Sequence, residues 1–248
     1  MDPIVMPGTA LHAAWHVGVV IPARNEEDTI CECLRSVIQA LRVCQTLQDY
    51  WVVLVADACR DRTAAVGREI LGTHGEAIRS TAAAAGAARR LGAKSILQRF
   101  AHVPSSQIWL ANTDADTLVP SDWISGQLAY AAKGATAVAG IVSVDSIVHE
   151  GFNRARELMA DYVALPDGTH AHVHGANLGI RADAYLDAGG WPELALAEDH
   201  CLWLRIKARG WPVIAASAVS VCTSGRLVGR ASGGFADTLR AKVEKMYG

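Results

Sequence analysis

The chain has no block of basic residues, no C-x-x-C pair and no window near the ~20 uninterrupted apolar residues of a membrane span. Each absence removes a class of protein. Net charge is −2 with Lys and Arg dispersed, so counter-ion release has little to act on and no nucleic acid partner is expected. The six cysteines, Cys31, Cys33, Cys44, Cys59, Cys201 and Cys222, offer no zinc-binding pairs and read as reduced thiols. Missing too are G-x-G-x-x-G, G-x-x-x-x-G-K-S/T and G-x-S-x-G, which removes simple support for a dinucleotide dehydrogenase, a P-loop enzyme or a serine hydrolase. The N-terminal MDPIVMPGTALHAAWHVG lacks a basic start before a long apolar run, so no secretion signal is expected. The expected setting is cytoplasmic, with no integral membrane segment and with peripheral work at a membrane surface left open.

What is present is a large supply of core. Half of the 248 residues are apolar (51 %) and 19 % are charged, which suits a single α/β domain. Apolar runs at 16–23, 51–56, 76–81, 107–111 and 135–144 read as strands, separated by helical patterns at 26–41, 56–72, 82–100 and 120–134. Continuous apolar strands between helices predict a mostly parallel, Rossmann-like sheet covered on both faces. Ligands then sit outside the carboxyl ends of the strands. PARNEE, DACRDRT and NTDAD fall at three such ends and are expected to converge on one crevice. Further on, a helix is expected at 151–164, a loop and strand at 165–180, and helix, Gly-rich loop, helix and strand over 181–216, before a tail with a short amphipathic helix.

NTDAD places Asp114 and Asp116 one residue apart after a buried run. Such carboxylates can hold Mg²⁺ or Mn²⁺ together with diphosphate oxygens. They can equally cap a turn. The acids Glu198 and Asp199 in AEDH offer a general base or a helix start that complements the dipole. Asp61 and Arg62 read as a helix start, and Trp203 as core.

The segments VVIPARNEEDTI, VLVADACRDRTA, GAARRLGA, WLANTDADTLVPSDWI, HGANLGIRADAYLDAGGWPE and AEDHCLWLRIKARGWPV, in that order, resemble a family 2 glycosyltransferase of the GT-A fold over residues 17 to about 216. The resemblance implies a nucleotide-sugar half at 17–144, an acceptor and catalytic half at 145–216, and a tail at 217–248. It implies that Pro22, Ala23, Arg24 and Glu26 line the nucleotide, that Asp57 bonds the base, and that Gly86, Arg89 and Arg90 run beneath the donor, where a guanidinium can meet the diphosphate. Asp116 becomes the metal ligand, with Asp114 facing the sugar or sharing the metal. Asp199, with Glu198, becomes the base for the acceptor, His174 and Asn177 belong to the acceptor side, and Trp191 either stacks against an acceptor there or builds the core. His172 and His200 suit phosphate or metal binding but also simple packing. Thr223, Ser224, Arg226 and Arg230 suit a loop closing over the diphosphate.

One departure stands out. Ala56, Ala58 and Cys59 surround Asp57 where the family commonly has a second acid, Gly and Ser, so the base is not specified. The expected reaction is metal-dependent transfer from a nucleoside diphosphate sugar, a UDP-sugar favoured, to a small-molecule, lipid-linked or glycan acceptor, with inversion. No Q-x-x-R-W is present, which favours one transfer over polymer synthesis. A non-catalytic sugar-nucleotide binder and a sugar-1-phosphate nucleotidyltransferase are the rival readings; the second should carry a basic Gly-rich N-terminal loop, which PARNEE is not.

Overall fold

The computed structural model describes residues 14–144 and 167–226. The expected helix at 151–164, Arg230 and the tail helix lie outside them. Strands β1 (Trp15–Ala23), β2 (Leu47–Asp57), β3 (Gly75–Ser80) and β4 (Ile108–Asn112) follow the apolar runs, joined by α1 (Ile30–Val43), α2 (Thr63–Leu71) and α3 (Ala85–Arg99). After β5 (Thr117–Leu118) come α4 (Trp123–Ala132), β6 (Ala137–Val144), β7 (Leu178–Arg181), α5 (Ala182–Asp187), α6 (Glu198–Ala208) and β8 (Val213–Thr223). They build one eight-stranded sheet in the order β3-β2-β1-β4-β7-β6-β8-β5. β1 pairs in parallel with β2 and β4, β2 with β3, and β6 with β8. β7 runs antiparallel to both β4 and β6, and β5 antiparallel to β8.

Strand alternation sorts the core onto two faces. Val17, Val19 and Ile21 of β1 pack with Ile30, Leu34 and Val37 of α1 and with Trp123 and Leu128 of α4. Val20, with Val53 and Val55 of β2, packs on the other face against Ala88 and Ile96 of α3 and Leu202 and Ile206 of α6. Trp203 joins that second cluster, as its apolar neighbours in sequence suggest. Each large apolar side chain buried in this way contributes about 1.5–3 kcal/mol.

The crevice loops are tied to one another before any ligand is considered. α1 begins at Ile30 rather than at residue 26, because the segment after β1 is engaged with the loop after β2. The Glu26 amide donates to Thr63 Oγ1 (2.7 Å), the Glu27 amide to Asp61 Oδ2 (3.1 Å), the Arg62 amide to Glu27 Oε2 (2.9 Å) and the Arg60 amide to Asn25 Oδ1 (2.8 Å). Asp61 Oδ1 also accepts the Thr63 amide at 3.1 Å, bracing the first turn of α2 from the residue before its N-cap, Arg62. Asn25 and Ala58 hold left-handed backbone (φ 55° and 51°) within these loops. For a non-glycine residue that conformation is uncommon and costs free energy, and such residues gather where geometry is held for function.

Candidate active site

Adjacent parallel strands β2, β1 and β4 bring DACRDRT, PARNEE and NTDAD to one edge of the sheet. NTDAD forms a tight turn: the Thr117 amide donates to the Asp114 carbonyl at 3.1 Å, and the chain returns at once as β5. Neither carboxylate caps α4, which starts only at Trp123. The Cys33 thiol of α1 donates to the Asp114 carbonyl (3.3 Å), bracing the turn from behind.

Two arginines organise the acids. Arg89, on α3 with 4 % of its side chain exposed, donates to Asp114 Oδ1 (2.5 Å) and to Glu198 Oε1 (2.6 Å). It therefore joins the acid at the end of β4 to the acid that opens α6. Arg226 donates through both terminal nitrogens to Glu26 (2.9 and 2.8 Å) and reaches Asp116 Oδ2 at 2.9 Å. Asp199 accepts the Gly175 amide on Oδ2 (2.9 Å) and the His200 amide on Oδ1 (2.7 Å). Ala197, just before α6, adopts φ 57°, which turns the acid pair into the first turn of the helix.

Pro22 and Ala23 close β1, and Arg24 is exposed at the rim. Asp57 ends β2, is 4 % exposed, and accepts the amides of Ala83 (3.1 Å) and Ala84 (2.9 Å). His174 is half-buried beside His172, their rings stacked with centroids 6.0 Å apart.

Several expectations need correcting. Arg89 is committed to two carboxylates rather than offered to a diphosphate. Arg90 donates to the carbonyls of Gly189 (3.2 Å) and Trp191 (2.8 Å) and so fastens the loop before α6. Gly86 is a packing residue, since a Cβ there would lie 2.0 Å from the Pro192 carbonyl oxygen. Asn177 is fully buried: its Oδ1 accepts Trp123 Nε1 (2.9 Å) while its Nδ2 donates to the carbonyls of Ile141 (2.9 Å) and Val219 (3.1 Å). Trp191 is 1 % exposed in the core with Tyr185 and Leu202. Neither presents a surface to an acceptor.

Gly175 was missed, although it stands inside the HGAN motif. A Cβ there would fall 2.5 Å from Arg89 Nη2, so a side chain at this position would push the guanidinium away from its two carboxylates. Thr223 was expected in a loop but ends β8, where it bonds Thr117 (2.9 Å) and Asp116 Oδ1 (3.3 Å).

The electrostatics favour a cation. Burial, then the charges of Asp114 and Glu26, push the Asp116 carboxyl up to about 6, although Arg226 pulls the other way. Asp114 is also raised, first by the packing around it and then by Asp199 and Glu26 against Arg89 and Arg226; 40 % of its side chain is open to solvent, which screens that rise. Glu198 is raised by burial, against the pull of Arg89, with Asp199 and Asp114 adding to the rise. Burial is the largest cause in all three, and the acids Glu26, Asp114, Asp116, Glu198 and Asp199 outnumber the cations Arg89 and Arg226 that face them. Oxygen donors in such a field fit Mg²⁺ or Mn²⁺, ions that take one or two carboxylates and complete their shell with water and substrate phosphates. Among the described residues no group of three or more His, Cys, Asp or Glu is already gathered as a metal site.

His174 gives a pH-dependent expectation. Burial holds its imidazole down at about 4, with His172, His200 and His170 acting the same way and Asp199 opposing them. From pH 6.5 down to about 4 the unfolded chain takes a proton that folded His174 refuses, so its contribution to stability is full above 6.5 and lost as pH falls. The raised carboxylates act in the opposite sense over part of this window. Urea midpoints from pH 7 to 4, wild type against His174→Gln, should therefore show a flatter acid loss in the variant; parallel curves would remove His174 from the linkage.

The sheet order, the helices on both faces and the strand-end crevice define a GT-A fold. The chain belongs to glycosyl transferase family 2, whose model matches residues 18–187. Among solved structures it is similar to a mannosyltransferase, PcManGT from Pyrobaculum calidifontis, in complex with GDP-Man and Mn²⁺ (TM-score 0.59, 21 % identity, 91 % of this chain and 68 % of that one). It is also similar to S. aureus TarS (TM-score 0.57, 14 % identity, 84 % of this chain and 36 % of that one) and to TarS 1–349 in complex with UDP (TM-score 0.58, 14 % identity, 85 % and 61 %). The chain thus spans little more than a third of full TarS. No curated protein matches the sequence. No described helix is long and apolar enough to cross a membrane.

Proposed function

We propose that this glycosyltransferase moves a sugar from a nucleoside diphosphate donor to one hydroxyl of a discrete acceptor, in a single metal-dependent displacement that inverts the anomeric centre. The observation that carries this reading is the union of two acid pairs, Asp114 with Asp116 and Glu198 with Asp199, across the buried Arg89 at the crevice edge. The structural neighbours bound to GDP-Man with Mn²⁺ and to UDP support a nucleotide-sugar donor.

Asp116, with Asp114, is the residue that would hold Mg²⁺ or Mn²⁺; when bound, the ion offsets negative charge developing on the departing diphosphate. Pro22, Ala23 and Arg24 border the nucleotide, and Asp57 lies where the base is expected. Asp199 takes the proton from the acceptor oxygen as that oxygen attacks the anomeric carbon. The Gly175 and His200 amides donate to one oxygen each of the Asp199 carboxylate and so fix its direction. Glu198, locked to Arg89, anchors the start of α6 so that Asp199 keeps its place.

Calorimetry with UDP, GDP and TDP, with and without Mn²⁺, tests the donor site. Binding of one nucleotide that requires the metal and disappears in Asp116→Ala is the expected result. If a folded protein bound none of them, the NTDAD turn would have to be read as structural, and the donor as something other than a nucleotide sugar.

A further inference from the structure

The two arginines of the crevice are held in different ways. Arg89 is sealed: 4 % of its side chain is exposed, it lies against Gly175 with no room for a Cβ, and its guanidinium carbon sits 5.3 Å from the Trp191 ring centre. Arg226 keeps 28 % of its side chain exposed at the mouth. Its backbone is tied down just upstream, where the Ser224 amide donates to the Asp116 carbonyl (3.1 Å) and β8 pairs with β5 through Thr117 and Thr223. The side chain can leave by rotamer change while the strand stays in place.

Arg226 also occupies the atoms that a metal needs. Its Nη2 lies 2.9 Å from Asp116 Oδ2, while Asp116 Oδ1 accepts the Thr223 hydroxyl at 3.3 Å. The same guanidinium is anchored by a two-pronged pair to Glu26, whose side chain is 5 % exposed. A divalent ion bound at about 2.0–2.2 Å to Asp116 would have to share that oxygen with a cation already there, and like charges so close repel strongly.

We propose that Arg226 is an exchangeable counter-ion of the donor site, joining Glu26 to Asp116 until a divalent cation displaces it, so that guanidinium and metal compete for Asp116. The proposal rests on the donor site described under the proposed function. It gives Glu26 a role distinct from lining the nucleotide: it is the docking carboxylate that keeps Arg226 over Asp116. It also makes the affinity for metal alone lower than the carboxylates by themselves would give. Displacement frees a fork of donors beside the place where the diphosphate is expected, where it can bind phosphate oxygens in two-pronged fashion.

The test reads metal binding without nucleotide and without turnover. Mn²⁺ is titrated into the full chain and free Mn²⁺ is followed by electron paramagnetic resonance, in wild type, Arg226→Gln, Arg226→Lys and Asp116→Asn. Removing the competing charge should tighten Mn²⁺ binding by about 10-fold in Arg226→Gln, a coupling of ordinary size between linked sites. Arg226→Lys keeps the charge but loses the fork, so it should fall between the two and serves also if the glutamine variant folds poorly. Equal affinity in wild type and both arginine variants, with Asp116→Asn still weakening binding, would overturn the exchange while leaving the metal site intact. Binding unchanged in Asp116→Asn would overturn the metal site and the exchange together.

Discussion

Asp199→Asn is expected to lower the transfer rate by about 10²–10⁴-fold, the usual contribution of a positioned general base. Donor affinity should be nearly unchanged. The carboxylate accepts one amide hydrogen on each oxygen, from Gly175 and His200, and these bonds orient it at the first turn of α6. Asparagine retains one acceptor oxygen but replaces the other with a donor NH₂, which can neither take a proton from a hydroxyl nor accept a second amide. Steady-state kinetics should show the loss in kcat, with the KM for donor within a few-fold of wild type and an unaltered circular dichroism spectrum. Glu198→Gln is the useful contrast. Its partner is the buried Arg89, so the deficit there should appear in stability more than in turnover. A normal kcat in Asp199→Asn would remove this residue from the chemistry.

The second large effect is thermodynamic. Arg89→Ala strands Glu198, whose side chain is 9 % exposed, and leaves Asp114 without its closest cation. Removing one member of a buried ion pair costs about 3–5 kcal/mol, because the remaining charge is neither solvated nor paired. The lower end is expected, since Asp114 stays 40 % exposed and solvent screens that arm. Urea unfolding reads the change directly. Arg89→Lys should recover only part of it, because an ammonium cannot reproduce two separate, planar contacts to carboxylates on different elements. Adding Glu198→Gln to Arg89→Ala should restore stability, by removing the stranded charge. A loss below about 1 kcal/mol would place Arg89 with solvated surface pairs.

The strands were legible because burial on two faces writes continuous apolar runs, and β1, β2 and β4 lie within a few residues of the expected 16–23, 51–56 and 107–111. The meeting of PARNEE, DACRDRT and NTDAD followed from that alone, since parallel strands put their carboxyl ends together. The orientations of β5 and β7 were not legible. Both are short, and β5 pairs with β8, which lies about a hundred residues further along the chain. Polar side chains were misread for a related reason. Asn177 and Arg90 look like surface chemistry in one dimension, yet their partners at Trp123, Val219, Gly189 and Trp191 come from other elements.

By itself the sequence determined the alternation of strand and helix, the edge of the sheet that carries the polar loops, and the acids that stand there. These are local properties: a period of two or 3.6 residues, a turn residue, a carboxylate after an apolar run. Only the tertiary structure decided how those acids are balanced. Arg89 is fixed between Asp114 and Glu198, and Arg226 rests on Glu26, 200 positions away in the chain. Charge pairing depends on distance and burial in space, and neither can be read from spacing along the backbone.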